Sequence, residues 1–180
     1  MSTVNYRPAT ARDASSLGAL HVTSWRETYS GLLPQEMLDG LSAESRTAMW
    51  ATVLDAPANS NGTRVYVAEG AAGIVGFGAC GDQRDDVMRE SGFTGEIGAI
   101  YILRSQQGAG VGRALMSLMA RDLMERPIPS ASLWVLRENV RARGFYEGLG
   151  GAIIAEKKVA EGDTTLHEVA YGWPDLAHLI

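Results

Sequence analysis

Cysteine, histidine and long apolar runs are what this 180-residue chain has least of. Cys80 is its single cysteine, so no disulfide framework can form within the chain. It lies in an apolar run, 74–80, and is expected to pack as a small hydrophobe. His21, His167 and His178 are scattered without metal-ligand spacing, so no metal site is expected. No apolar stretch approaches the ~18 residues needed to cross a bilayer. The N-terminus has no signal peptide pattern, and a cytoplasmic location is expected. There is no basic block and the net charge is −5, which argues against nucleic acid as a partner. An acidic balance is compatible with a cationic amine as substrate.

What is present suits one domain over 1–180, with 46% hydrophobic and 21% charged residues. A first strand is expected over 5–8. Thr10-Ala11-Arg12-Asp13 is similar to a capping box with Asp in the acidic position, and it opens a helix to about Thr28. Gly31 and Pro34 end that helix, and a second helical stretch begins near Ser42. A turn at 56–62 precedes strands at 63–69 and 74–81, and a polar loop runs from Asp82 to Gly92. A strand over 96–103, a helix over 114–125, a strand over 131–136 and a helix over 139–149 follow. A hairpin around Glu161-Gly162-Asp163 closes the chain. This order predicts an α/β (α+β) fold, a mixed and mostly antiparallel sheet with helices on both faces. Its fourth and fifth strands, joined through a helix, are expected to be parallel neighbours.

Gln107-Gly108-Ala109-Gly110-Val111-Gly112-Arg113 joins the fourth strand to the next helix. Free backbone N–H groups at a helix N-terminus favour an anion, and glycines admit it close to the backbone. The loop thus suits a phosphate, the alternative being a glycine turn with no ligand. A Walker A loop requires Lys-Ser/Thr after the last glycine, whereas Arg113-Ala114 stands here. A Rossmann loop has a different glycine spacing and an earlier place in the chain.

Gln107, Gly110 and Gly112 form Q-x-x-G-x-G, which resembles the coenzyme A pyrophosphate loop of the GNAT superfamily of N-acetyltransferases. A second signature follows in the family's order. Strand 133–136 leads to Asn139, with Tyr146 seven residues later and a glycine-rich exit. The resemblance covers about residues 96–154. It implies a GNAT-like sheet of six to seven strands whose parallel strands 4 and 5 splay apart. Acetyl-coenzyme A is then the implied cosubstrate. By resemblance, Ile100, Tyr101 and Ile102 supply the strand edge for its pantetheine arm. The loop Gln107, Gly108, Ala109, Gly110, Val111, Gly112 and Arg113 holds the pyrophosphate. Asn139 binds the arm or caps its helix.

The implied reaction is direct attack of a primary amine on the thioester. An alkyl amine with a pKa of about 10 must first lose a proton. Glu96 stands where some family members carry a carboxylate base; its other reading is a solvated strand-end residue. Tyr146 matches the tyrosine near the coenzyme sulfur and is the implied general acid, or else an aromatic packed on the sheet. Trp134 stands where other members carry an acidic residue and is expected to wall the acceptor pocket or fill the core. Trp25 and Tyr29, in a W-R-x-x-Y-x-G-L-L-P run similar to one in some bacterial members, either line that pocket or staple a helix to the sheet. A non-catalytic acyl-coenzyme A sensing module is the competing class. It would need neither Glu96 nor Tyr146. The terminal hairpin and the Trp173-Pro174 tail offer a possible homodimer contact.

Overall fold

Strands β1 (Asn5–Pro8), β2 (Arg64–Gly70), β3 (Gly73–Asp82), β4 (Gly95–Ile102), β5 (Ala131–Leu136), β6 (Ala152–Glu161) and β7 (Thr164–Trp173) form one sheet in the order β1-β2-β3-β4-β5-β7-β6. The structure, a computed structural model, describes residues 4–55 and 62–180. The turn expected over 56–62 therefore lies, except for Gly62, outside the described residues. Every pairing is antiparallel except β4 with β5.

Helices cover both faces. Helix α1 (Ala14–Tyr29) buries Leu17, Leu20, His21 and Ser24, the three- and four-residue spacing of one helical stripe. A 3-10 turn at Ala11–Asp13 opens it, and the Asp13 carboxylate accepts the Thr10 N–H at 2.7 Å, as the capping-box pattern predicts. Together with α3 (Ala43–Asp55), α1 packs on Val65, Val67, Phe77 and Ala79. Leu17 is fully buried there, which contributes roughly 1.5–3 kcal/mol. The opposite face carries α5 (Val111–Glu125) and α6 (Val140–Gly148), whose Met116, Met119 and Tyr146 enter a core with Leu133, Tyr171 and Trp173.

Two short helices correct the expected loops. Helix α2 (Gln35–Asp39) follows Pro34 and is anchored by buried Leu38. Helix α4 (Asp86–Glu90) lies within the supposed polar loop. Asp85 caps it, and Met88 beneath it is buried. In the tail, Trp173 is buried and donates its Nε1–H to the Leu149 carbonyl at 3.0 Å, so its side chain belongs to the core, whereas Pro174 is exposed. Cys80 is buried as expected, and burial, with Asp122 beside it, pushes its thiol up to about 12.

The feature that makes a site is the short contact between β4 and β5. They pair at Gly95–Ala131 and Glu96–Ser132 and then part. Beyond that point β5 is held on its other edge by β7 alone. On β3, Ala79 pairs with Ala99 but Cys80 pairs with Ile97, so Gly98 is an extra residue, a β-bulge. A bulge bends its strand and resets the alternation of faces. Ile97 and Ile100 thus pack on the α5 side, whereas Ala99 and Tyr101 pack on the α1 side.

Candidate active site

A cleft of about 780 Å³ opens where β4 and β5 part, lined by Ile97 to Ile102 on one side and Leu133 to Val135 on the other. The β4 edge that faces it is not paired by β5 beyond Glu96. Backbone N–H and C=O groups away from water require partners, and an extended amide-bearing ligand laid along the edge supplies them. Ile100, Tyr101 and Ile102 all line this edge. The Ile102 carbonyl is the exception to the open ladder. It accepts the Gln107 Nε2–H at 3.0 Å, so this side chain ties off the strand end.

The glycine loop closes one end of the cleft. Gly108 and Gly110 have φ of +81° and +85°, a region that side chains with a Cβ rarely adopt. Gly110 is the N-cap of α5, and no side chain caps that helix. The first intrahelical bond runs from the Ala114 N–H to the Gly110 carbonyl, leaving the N–H groups of the first turn aimed outward. A Cβ on Gly112 would lie 2.9 Å from the Phe145 ring, so this turn sits close under α6. Arg113 is exposed in the first helical turn, where a cation opposes the helix dipole. That placement disfavours the helix but suits an anion bound at its end. Gln107, Gly108, Gly110, Gly112 and Arg113 line the cleft. Ala109 is exposed and Val111 is buried in the core, so neither side chain does so.

Tyr146 is brought to the cleft from the opposite wall and is 7% exposed. Burial, then the neighbouring Tyr29 and Tyr101 phenols, raises its pKa above the ordinary phenol value, so the hydroxyl stays protonated at neutral pH. Tyr29 lines the same space, with its hydroxyl facing the Asn139 side chain; burial pushes it up to about 12. Asn139 caps α6 by accepting the Ala142 N–H at 3.2 Å. Trp134 is a half-buried wall, with its Nε1–H on the Asp85 carboxylate at 3.1 Å and Lys157 Nζ 3.9 Å above the ring. Trp25 does not line the cleft. It packs one turn behind, edge-on to Tyr29 at 4.9 Å, and its buried N–H faces the Tyr101 hydroxyl without a good hydrogen bond.

Glu96 lies apart from Tyr146. It lines a second, smaller cavity of about 230 Å³ on the α1 and α3 side of the sheet. There the Arg84 guanidinium grips its carboxylate in two parallel hydrogen bonds of 2.9 Å. The two cavities share Gly98, Ala99 and Tyr101 as walls, so the bulged stretch of β4 stands between them. His21, which the sequence reading left unassigned, also lines the smaller cavity. Nothing local marks it. Its partners are Trp50 and Tyr101, far away along the chain.

Among the described residues no group of three His, Cys, Asp or Glu side chains is placed to hold a metal ion, and no helix is long and apolar enough to cross a membrane.

The site is thus a parallel strand pair that splits beside an uncapped, glycine-led helix N-terminus. The profile of the acetyltransferase (GNAT) family matches residues 22–150. The chain is 32% identical over 177 residues to the uncharacterized N-acetyltransferase YuaI of Bacillus subtilis, covering 98% of this chain and 96% of that protein. The chain therefore belongs to the GNAT family of acetyltransferases. Its fold is similar to that of the PaiA N-acetyltransferase of Thermoplasma acidophilum, solved in complex with coenzyme A (TM-score 0.73, 17% identity, 92% of this chain and 98% of that one). It is also similar to YncA of Salmonella typhimurium, solved with its cofactor acetyl-CoA (TM-score 0.68, 18% identity, 96% and 94%).

Proposed function

We propose that the protein transfers the acetyl group of acetyl-coenzyme A to the primary amine of a small molecule or peptide, by direct attack of the amine on the thioester. The observation that carries this reading is the unpaired β4 edge leading to an uncapped helix N-terminus. One end satisfies amides and the other satisfies phosphates, and coenzyme A carries both at opposite ends. Structures of similar fold bind coenzyme A or acetyl-CoA.

Acetyl-coenzyme A supplies the activated acetyl group. The chain's residues do the rest. Ile100 to Ile102 pair the pantetheine amides, and a backbone N–H on that edge faces the thioester oxygen as charge develops. Gly108 to Arg113 hold the pyrophosphate. Glu96 accepts the amine proton through a water. Tyr146 donates a hydrogen bond to the departing sulfur. Its raised pKa makes full transfer to a thiolate of pKa about 8.5 uphill. Its first action is therefore to stabilise the developing charge, and a second proton, shed by the attacking nitrogen as the tetrahedral intermediate collapses and distinct from the one Glu96 takes, restores the thiol.

Thermal-shift binding of acetyl-coenzyme A, ATP and NAD, run beside turnover of Glu96→Gln and Tyr146→Phe, tests this reading. An enzyme binds acetyl-coenzyme A selectively and loses turnover in both variants while binding persists. Stabilisation by ATP or NAD alone overturns it, and binding without turnover in the native chain leaves the sensing module.

A further inference from the structure

Lysine is scarce in this chain. Of its 16 lysine and arginine residues only Lys157 and Lys158 are lysines, so a primary-amine side chain stands at these two positions and no others. Both lie on β6, the last strand of the sheet, and neighbouring side chains on a strand point to opposite faces. Lys157 pairs with Glu168 of β7, which pairs in turn with Leu136 of β5. Leu136 packs with Leu33, Leu38 and Tyr29, so this row faces α1 and α2. Lys158 pairs with His167 on the other face and is exposed.

Lys157 does not simply extend into solvent. Its side chain runs back across β7, and its Nζ stands 3.9 Å from the centre of the Trp134 ring on β5. That crossing spans two strand spacings, roughly 10 Å. The residue of β7 opposite Trp134 is Ala170, whose small side chain leaves room for it. Glu168 Oε2 lies 3.4 Å from the same Nζ. Trp134 lines the cleft together with the β4 edge of Ile100, Tyr101 and Ile102. An amine is thus held against a wall of the space that the transfer reading gives to the thioester. Arginine is found over aromatic faces more often than lysine. Among the described residues every other ion pair is made by arginine. The one ion pair built with a primary amine is the one at the cleft wall.

Resting on the reading that the protein transfers acetyl groups from acetyl-coenzyme A, we propose that Lys157 is itself an acceptor, a self-acetylation site served by the cleft of its own chain. Only charge holds Nζ to Trp134 and Glu168, and the side chain is 38% exposed. Its flexible four-carbon stem lets Nζ leave the ring for the neighbouring thioester. An alkyl ammonium is not a nucleophile until it loses a proton, and that proton goes to water. The Nζ lone pair then attacks the thioester carbonyl carbon. A C–N bond forms, and the C–S bond breaks as the tetrahedral intermediate collapses. The attacking nitrogen sheds a second proton, which the departing sulfur takes. The products are an amide at Lys157, coenzyme A as its thiol and one proton in solution. Tethering makes the attack intramolecular, which favours Lys157 over an amine that must arrive from solution. Lys158, on the opposite face, has no such access. The step happens once per chain, so it adds nothing to repeated turnover of a free amine.

The test incubates the full chain with acetyl-coenzyme A and no added amine, and follows the intact mass against its starting value. Fragmentation of the peptide that carries both lysines assigns the site. The expected result is a gain of up to one acetyl group at Lys157, about 10-fold or more faster than at Lys158, although Lys158 is the more exposed. The rate constant does not change with protein concentration. Saturating coenzyme A suppresses the gain, Tyr146→Phe slows it, and the urea-unfolded chain acetylates both lysines alike. Lys157→Arg abolishes it and leaves acetylation of added amines within a few-fold of native. Equal modification of the two lysines in the folded chain, a rate constant that rises with protein concentration, or unslowed acetylation of Lys157 in Tyr146→Phe overturns the proposal. Free amines acetylated while Lys157 stays untouched also overturn it, and the transfer reading stands. Coenzyme binding with neither Lys157 nor any free amine acetylated overturns both.

Discussion

Arg84 clamps Glu96 from the surface. Its Nε and Nη2 each donate to a different carboxylate oxygen at 2.9 Å, and the Arg84 side chain is 72% exposed against 21% for Glu96. On the proposal that Glu96 takes the amine proton, a cationic acceptor shares or displaces this guanidinium. Arg84→Ala should lower the KM for a cationic amine several-fold at low ionic strength. Stability should change by less than about 1 kcal/mol, because an exposed ion pair contributes little. Steady-state kinetics and a urea melt check both halves. A raised KM would mean that Arg84 itself binds the acceptor.

Tyr146→Phe removes one hydroxyl from a buried ring without changing its packing against Tyr171 and Trp173. The expected loss is about 10²-fold or more in kcat, with the KM for acetyl-coenzyme A within a few-fold of native. Equal loss of both would point to packing instead.

Arg113→Ala separates ligand binding from folding. The side chain is exposed and set against the helix dipole, so its loss should leave stability unchanged or raise it by about 0.3–1 kcal/mol. Affinity for coenzyme A should fall, and the salt dependence of binding should weaken with it. Calorimetric titration at two ionic strengths reads this directly.

Stability at low pH should depend on Asp13. Hydrogen bonding to the Arg7 guanidinium, helped by the Thr10 N–H, holds its carboxyl at about 2 against an ordinary 3.8. A depressed folded pKa favours the folded state while the group is ionised. That contribution is whole above about pH 4 and is lost as pH falls through 2. Urea melts at pH 5 and pH 2.5 should show a larger loss for the native chain than for Asp13→Asn. Parallel losses would contradict the assignment.

The catalytic half of the fold was readable because its signals are local. The glycine loop carries its chemistry in adjacent residues, and the strand expected over 131–136 is β5. Asn139 and Tyr146 share one short helix, so their spacing survives folding. Helices α2 and α4 escaped because five residues are too short for a period to register, and each rests on one buried anchor, Leu38 or Met88. The Gly98 bulge exists only as a register shift against β3, which no local pattern announces. It also explains why strict alternation would have misplaced either Ile97 or Ile100. Glu96 was visible, but its grip by Arg84 was not, since the partner stands just past the end of β3, on the far side of α4 from the strand. His21 is the clearest case. Its partners, Trp50 and Tyr101, are brought to it only by the fold.

Free-thiol release from acetyl-coenzyme A in the presence of small primary amines, with the amine product weighed by mass spectrometry, tests the central claim most directly. Acetyl transfer predicts one thiol released for each acetyl group gained by the amine, and strong loss of both in Tyr146→Phe. Thiol release without an acetylated amine, or coenzyme binding with no release across the amines, would contradict it.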